Sequence, residues 1–276
     1  MATVQELLDA ASALPGDSPR RDAEILLGHC LGRPRVWLYT WPEQEVAPQR
    51  CRSYAGLIER RRRGEPVAYL TGTREFWSLR LRVTDATLIP RPETETLVAW
   101  ALELDMPARA EVLDLGTGSG AIALAVADER PDWRVDAVDS CGAALAVARD
   151  NAARAGLARV QFRLSDWYGA LGTRRFDLLL SNPPYIDGAD SHLDCAELRC
   201  EPRGALVAAD RGLSELRRVI DGASRHLRPG GWLLLEHGFE QGAAVRALLV
   251  GAGFAAVGTR RDLSGHERVS AGQLAC

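Results

Sequence analysis

Lysine is absent from this 276-residue chain; all 34 of its basic side chains are arginine, a bias attributed to coding composition rather than chemistry. Acidic residues number 37, so the formal charge is −3 and there is no global basic field of the kind nucleic-acid binders carry. A protein or small-molecule substrate suits that balance better. Long apolar runs are missing too. With neither an N-terminal hydrophobic region nor a membrane-length stretch, secretion and insertion are not expected, and the chain reads as cytoplasmic. The six cysteines, Cys30, Cys51, Cys141, Cys195, Cys200 and Cys276, form no C-x-x-C pair and have no histidine at zinc-ligand spacing. They read as reduced packing residues, and no metal is expected. What the chain does have is 46% hydrophobic residues, enough for one large α/β domain plus a small appendage.

Periodicity orders these pieces. Residues 3–30 carry helical spacing at Val4, Leu7, Leu8 and Ala11, then at Ala23, Ile25, Leu26 and Leu27. The break Pro15-Gly16-Asp17-Ser18-Pro19 divides two helices, with Asp17 or Ser18 expected to cap the second. A further helix over 48–63 completes a small helical bundle, assigned to residues 1–72. Period-two alternation over 76–83 predicts a strand or hairpin within a linker at 73–92. From 93 to 276 helices (93–104, 119–129, 141–155, 212–227, 240–252) alternate with strands (111–115, 133–139, 159–164, 176–181, 232–236), and strands at 254–261 and 267–275 suit a final hairpin. That alternation implies a parallel sheet flanked by helices.

Two motifs sit at strand ends. Phe176–Ser181 runs directly into Asn182-Pro183-Pro184-Tyr185. A planar amide or exocyclic amine has a delocalised lone pair, so it attacks a methyl sulfonium only when acceptors grip and aim its NH2. Asn182 Oδ1 and the Pro183 carbonyl are candidate acceptors, Pro183 and Pro184 stiffen the loop, and Tyr185 offers a flat wall. The competing reading is an ordinary strand-ending turn. Earlier, strand Glu111–Leu115 leads through Gly116-Thr117-Gly118-Ser119-Gly120 into a helix. Glycines there let a cofactor lie against backbone at a helix N-terminus. The spacing lacks the third glycine position of the dinucleotide fingerprint, which disfavours a hydride-transfer cofactor. Asp139, at the end of the next strand, is placed to accept from ribose hydroxyls.

Together with Glu75–Leu79, Leu88–Glu95, Ser165-Asp166-Trp167 and Leu235–Gly238, these motifs resemble the PrmC/HemK family, the N5-glutamine methyltransferases of peptide chain release factors. The resemblance spans residues 75–238, with Gly64–Gly72 its main trace in the N-terminal part. It implies a Rossmann-like class I S-adenosylmethionine-dependent methyltransferase sheet with a small N-terminal helical domain. It also implies S-adenosyl-L-methionine as cofactor and, as acceptor, the glutamine of the Gly-Gly-Gln motif of class 1 release factors. In that reading Gly116, Thr117, Gly118, Ser119, Gly120, Asp139, Asp166, Trp167 and Asn182 form the cofactor site. Asn182, Pro183, Pro184 and Tyr185 hold the substrate, with Asn182, Pro183 and Tyr185 as the catalytic set.

Plainer roles stand beside these: a turn cap for Asp166, core packing for Trp167, a structural histidine rather than a base at Glu236-His237, and a capped helix start at Leu88–Glu95. Arg60–Arg63 reads as a solvated helix face or as a dock for an acidic partner surface. Two functional alternatives remain in play, a methyltransferase for the exocyclic amine of a nucleic-acid base and a non-catalytic cofactor-binding protein.

Overall fold

The computed structural model describes residues 2–11, 14–16 and 18–275. They form two compact units, Met1–Thr73 with Asp194–Cys200, and Arg74–Leu193 with Glu201–Cys276. Among the described residues no helix is long and apolar enough to cross a membrane.

The first unit is helical: α1 (Val4–Ala10), α2 (Pro19–Leu31), α3 (Arg35–Thr40), α4 (Pro48–Arg62) and α5 (Val67–Thr71). A capping box starts α1, with Thr3 Oγ1 accepting from Glu6 N at 3.2 Å and Glu6 Oε2 accepting from Thr3 N at 2.8 Å. Ser18 stands at the N-cap of α2 but makes no capping bond, and Pro19 sets the first turn by its fixed φ. Asp17, the other expected cap, lies outside the described residues. Val4, Leu8, Leu26, Leu27, Leu38 and Ile58 bury the apolar stripes of these helices in one core.

The solvated-face reading of the arginine cluster fails at Arg61. Its side chain is 3% exposed, bonds Asp22 Oδ2 at 2.8 Å, pairs with Glu197 and donates to the Pro15 carbonyl at 3.0 Å. These partners are distant in sequence, so no local pattern could have shown them.

At the start of the second unit, β1 (Thr73–Phe76, its first residue the last of the helical unit's main segment) and β2 (Leu79–Arg82) form the expected hairpin. Its turn places Trp77 at φ 54° and resets the alternation, so that Phe76 and Leu81 are both buried. A 3-10 turn, Pro92–Thr94, precedes α6 (Glu95–Glu103). There follow β3 (Glu111–Leu115), α7 (Ala121–Glu129), β4 (Arg134–Asp139), α8 (Gly142–Arg154), β5 (Gln161–Leu164) and β6 (Phe176–Ser181). The short strands β7 (Ile186–Asp187) and β8 (Val207–Ala208) pair in parallel. The unit closes with α9 (Ser214–His226), β9 (Leu227–Glu236), α10 (Gly242–Gly251), β10 (Phe254–Arg261) and β11 (Glu267–Leu274).

Among the described residues these build a seven-stranded sheet of order β10-β11-β9-β6-β3-β4-β5, antiparallel only at β11. The order and the reversed β11 are those of the class I methyltransferase sheet. Both faces are covered, which is why the central strands read as unbroken apolar runs. Val112, Leu178, Leu180 and Leu234 face one core with α6 and α7, whereas Leu113, Leu115, Leu179, Leu233 and Leu235 face the other with α9 and α10. Because β4 and β5 lie on one side of β3 while β6 and β9 lie on the other, chain direction across the sheet reverses between β3 and β6. Open α/β sheets bind ligands at the strand C-termini beside that switch point.

Candidate active site

The site follows from strand register. Leu115 pairs with Val138 on one side and Ser181 on the other, and Ser181 pairs with Leu235. Gly116, Asp139, Asn182 and Glu236 therefore lie at neighbouring C-terminal strand ends at the switch point. Ser181 Oγ donates to the Leu115 carbonyl at 2.7 Å and ties the two central ends together.

Gly116, Gly118 and Gly120 have φ of 75°, 57° and 87°. Gly120, left-handed at the N-cap, starts α7 at Ala121 rather than at residue 119. A Cβ on Gly116 would stand 3.4 Å from the Trp167 ring, whereas one on Gly118 would project into open space. Val138 O accepts from Gly116 N at 2.9 Å and from Thr117 N at 3.0 Å, folding the loop back over β4. Asp139 Oδ2 accepts from Gly118 N at 2.8 Å, and its Oδ1 accepts from Cys141 N at 2.8 Å. The carboxylate is thus fixed at the loop with lone pairs to spare.

A cavity of about 600 Å³ opens here, lined by Gly116, Thr117, Gly118, Ser119, Asp139, Asp166, Trp167, Asn182 and Pro184 among the residues singled out in the sequence. Gly120, Pro183 and Tyr185 are not in its lining. Gly120 instead packs against Leu124 and Ala148. Asp166 is exposed and gives one oxygen to Arg218 at 2.8 Å. Trp167, at φ 45°, is anchored by Nε1 donation to Glu215 Oε2 at 2.8 Å. Leu88, Pro90, Arg91 and Thr94 also line the cavity, so the proline-rich segment is both a helix start and a wall. Glu201 braces that wall, accepting from Ile89 N at 2.9 Å and pairing with Arg91.

The Asn182 loop is held from several sides. Asn182 Nδ2 donates to Thr94 Oγ1 at 3.2 Å, and Oδ1 has no partner among the described residues. Pro183 is buried, and its carbonyl accepts no hydrogen bond from them. Tyr185 OH donates to Glu236 Oε1 at 3.1 Å, while Gln241 Nε2 donates to the Tyr185 carbonyl at 3.0 Å. Downstream, Ile186 N donates to the Leu206 carbonyl at 2.9 Å. Glu201, Glu215, Gly212 and Gln241 had no role in the sequence reading, and Thr94 figured there only within the Leu88–Glu95 segment. Thr94 alone carried a signal, as the residue opening α6, but its hydroxyl serves Asn182 and makes no cap bond. His237 is fully buried, with Nδ1 at the Gly238 carbonyl and Nε2 at Ser270 Oγ, both 2.8 Å away, which matches its structural reading.

Asp114 lies fully buried beneath the loop. Its Oδ2 accepts from Thr117 Oγ1 at 2.6 Å and from Ala123 N at 3.3 Å, while Oδ1 has no partner. Burial pushes this carboxyl from 3.8 up to about 7, assisted by the charge of Asp139 and opposed by Thr117 and Ala123. A carboxyl raised on folding contributes stability that is complete below its unfolded pKa and is lost as pH rises through the folded one. In chemical denaturation, Asp114→Asn is therefore expected to gain on the unsubstituted protein between pH 4 and 7, by on the order of 4 kcal/mol, and to hold that gain above pH 8. A stability difference independent of pH would contradict this assignment.

The donor set fits a nucleoside carrying a short charged arm: a glycine cradle, a fixed carboxylate, an indole wall and a volume within the usual range for small ligands. Comparison with known proteins agrees. Residues 4–72 match the PrmC N-terminal domain and residues 94–201 the methyltransferase small domain. Among solved structures, a Pyrococcus furiosus methyltransferase superposes with TM-score 0.55 at 16% identity, over 72% of this chain and 91% of that one, a likeness of fold alone. The release factor glutamine methyltransferase of Pseudomonas aeruginosa is 50% identical over 276 residues, the whole of both chains. That of Escherichia coli is 47% identical over 268 residues, 97% of each. With identity at this level across both units, the chain belongs to the release factor glutamine methyltransferase family.

Proposed function

We propose that the protein transfers a methyl group from S-adenosyl-L-methionine to the side-chain amide N5 of the glutamine in the Gly-Gly-Gln motif of class 1 peptide chain release factors, tuning translation termination in the cytoplasm. The observation that carries this reading is the free acceptor Asn182 Oδ1 one strand away from the glycine cradle, in a chain 50% identical end to end to an enzyme of that name.

When bound, S-adenosyl-L-methionine supplies a methyl group already activated by its sulfonium charge. Gly116 and Gly118 let backbone approach the ligand, with Thr117, Ser119 and Gly120 holding the loop's shape, while Asp139 takes the ribose hydroxyls. Trp167 packs beside the adenine, and the Asp166 oxygen not engaged by Arg218 accepts from its amino group. Asn182 Oδ1 and the Pro183 carbonyl accept the two amide N–H bonds, which aims the nitrogen and makes its lone pair available. Pro184 and Tyr185 fix the loop that carries these acceptors. As the N–C bond forms, the S–C bond breaks and an amide proton is released. We assign no dedicated base, and the released proton passes to solvent. The helical bundle of residues 1–72 provides the surface on which so large a substrate docks.

A methyl-labelled transfer assay offering release factor, RNA and DNA in parallel tests this reading. Label in the release factor alone is the expected result. Label in nucleic acid would transfer the assignment to an exocyclic base amine.

A further inference from the structure

An exposed carboxylate and a half-buried indole, Asp166 and Trp167, stand side by side in the cavity lining. Their loop does little by itself to hold either side chain still. Trp167 takes φ 45°, a conformation that favours glycine, and Ser165 fixes only the backbone: its Oγ donates to the Trp167 carbonyl at 2.7 Å and accepts from Ala170 N at 2.9 Å. The side chains are held from α9. Glu215 Oε2 accepts from Trp167 Nε1 at 2.8 Å and from Arg218 Nη1 at 2.9 Å, while Arg218 Nη2 donates to Asp166 Oδ2 at 2.8 Å. Two neighbouring loop residues and two residues one helical turn apart thus close a ring of hydrogen bonds, and all four line the cavity. Later turns of α9 fix the same loop. Tyr168 OH donates to the Val219 carbonyl at 2.8 Å, and its ring stacks on His226 with centroids 4.7 Å apart. Gly222 leaves room for that ring, since a Cβ there would stand 2.3 Å from it.

As an ordinary surface ion pair the Arg218 contact would do little, because the Arg218 and Asp166 side chains are 50% and 66% exposed and such pairs add little to stability. Its effect is directional. The Arg218 fork spends one nitrogen on each carboxylate and so fixes which oxygen of Asp166 is occupied. Oδ2 is taken, and Oδ1 makes no hydrogen bond among the described residues. We propose that Glu215 and Arg218 are positioning residues for the base of the cofactor: Arg218 aims the free oxygen of Asp166 at the adenine amino group, and Glu215 sets the Trp167 ring against which the base packs. The site thereby selects adenine over a base with a carbonyl in place of that amine, whose lone pairs would face those of the carboxylate. The proposal rests on the adenine-facing reading of Asp166 and Trp167, and its test separates the two.

The full-length protein is titrated calorimetrically with S-adenosylhomocysteine, the by-product of methyl transfer, and with S-inosylhomocysteine, in which a carbonyl replaces the adenine amino group. The unsubstituted protein should favour the adenine ligand by about 10-fold or more. In Arg218→Met that preference should shrink to within about threefold, through weaker binding of the adenine ligand alone and with the melting temperature unchanged. Glu215→Ala frees the indole and should weaken both ligands alike, by about 3- to 10-fold, because stacking does not read the base edge. Glu215→Gln keeps an acceptor for Trp167 Nε1 and should restore both affinities. An unchanged preference in Arg218→Met, or unchanged affinities in Glu215→Ala, would overturn the proposal. So would an equal loss for the two ligands in Arg218→Met, which marks a merely structural role. Asp166→Ala tells the failures apart. If it abolishes the preference while Arg218→Met keeps it, the reading of Asp166 stands and the positioning claim falls; a preference that survives Asp166→Ala, or is absent from the unsubstituted protein, overturns both.

Discussion

Asn182→Ala is expected to lower single-turnover methyl transfer by about 10²- to 10³-fold, the range seen when one preorganised hydrogen-bonding group is removed from a reacting centre. Cofactor affinity should fall no more than a few-fold, because the glycine cradle, Asp139 and Trp167 line the cavity independently of it. The reason for so large an effect is that Asn182 Oδ1 makes no hydrogen bond among the described residues, while the rest of its amide is anchored at Thr94. Calorimetric titration of the cofactor beside rapid-quench transfer separates the two quantities. A variant that binds cofactor and still transfers at the normal rate would remove Asn182 from the mechanism.

The second large effect is expected far from any recognised motif. Gly212 is buried with φ 82°, and a Cβ there would overlap the Tyr185 carbonyl oxygen and stand 2.7 Å from the carbonyl carbon and from Gln241 Nε2. Backbone and clamp meet at this point, so neither can yield cheaply. Gly212→Ala should displace the Tyr185 carbonyl and loosen the loop that carries Asn182, with transfer reduced by on the order of 10²-fold and stability by about 2–4 kcal/mol. Gly172→Ala is the control: its φ is also positive, at 59°, but nothing lies within 4 Å of the added carbon, so only a backbone cost of about 1 kcal/mol applies. Equal behaviour of the two variants in thermal melts and transfer assays would show that steric conflict at Tyr185 does not matter.

These two positions also mark how far the sequence can be read. The sheet was legible because its central strands are continuous apolar runs punctuated by glycine and proline, and the final hairpin because 254–261 and 267–274 are divided by a polar turn. Helices α3 and α5 escaped because six and five residues carry too little periodicity. Strands β7 and β8 escaped because two residues each carry no alternation at all. The cavity-lining glycines, Asp139 and Asn182 were legible because strand-end chemistry has fixed offsets from its strand. Their supports were not. Thr94 meets Asn182 across 88 positions, Gln241 meets Tyr185 across 56 and Glu201 meets Ile89 across 112, and each contact exists only once the sheet is folded. Arg61 gives the same lesson from the helical unit, where a run of four arginines hid one buried side chain paired with both Asp22 and Glu197.

The most direct test of the central claim is tandem mass spectrometry of unmethylated class 1 release factor after incubation with this protein and S-adenosyl-L-methionine. One added methyl on the side-chain amide of the Gly-Gly-Gln glutamine, absent with Asn182→Ala, is the predicted result. An unmodified glutamine, with the methyl found on another residue or in added RNA, would contradict the assignment of substrate and site together.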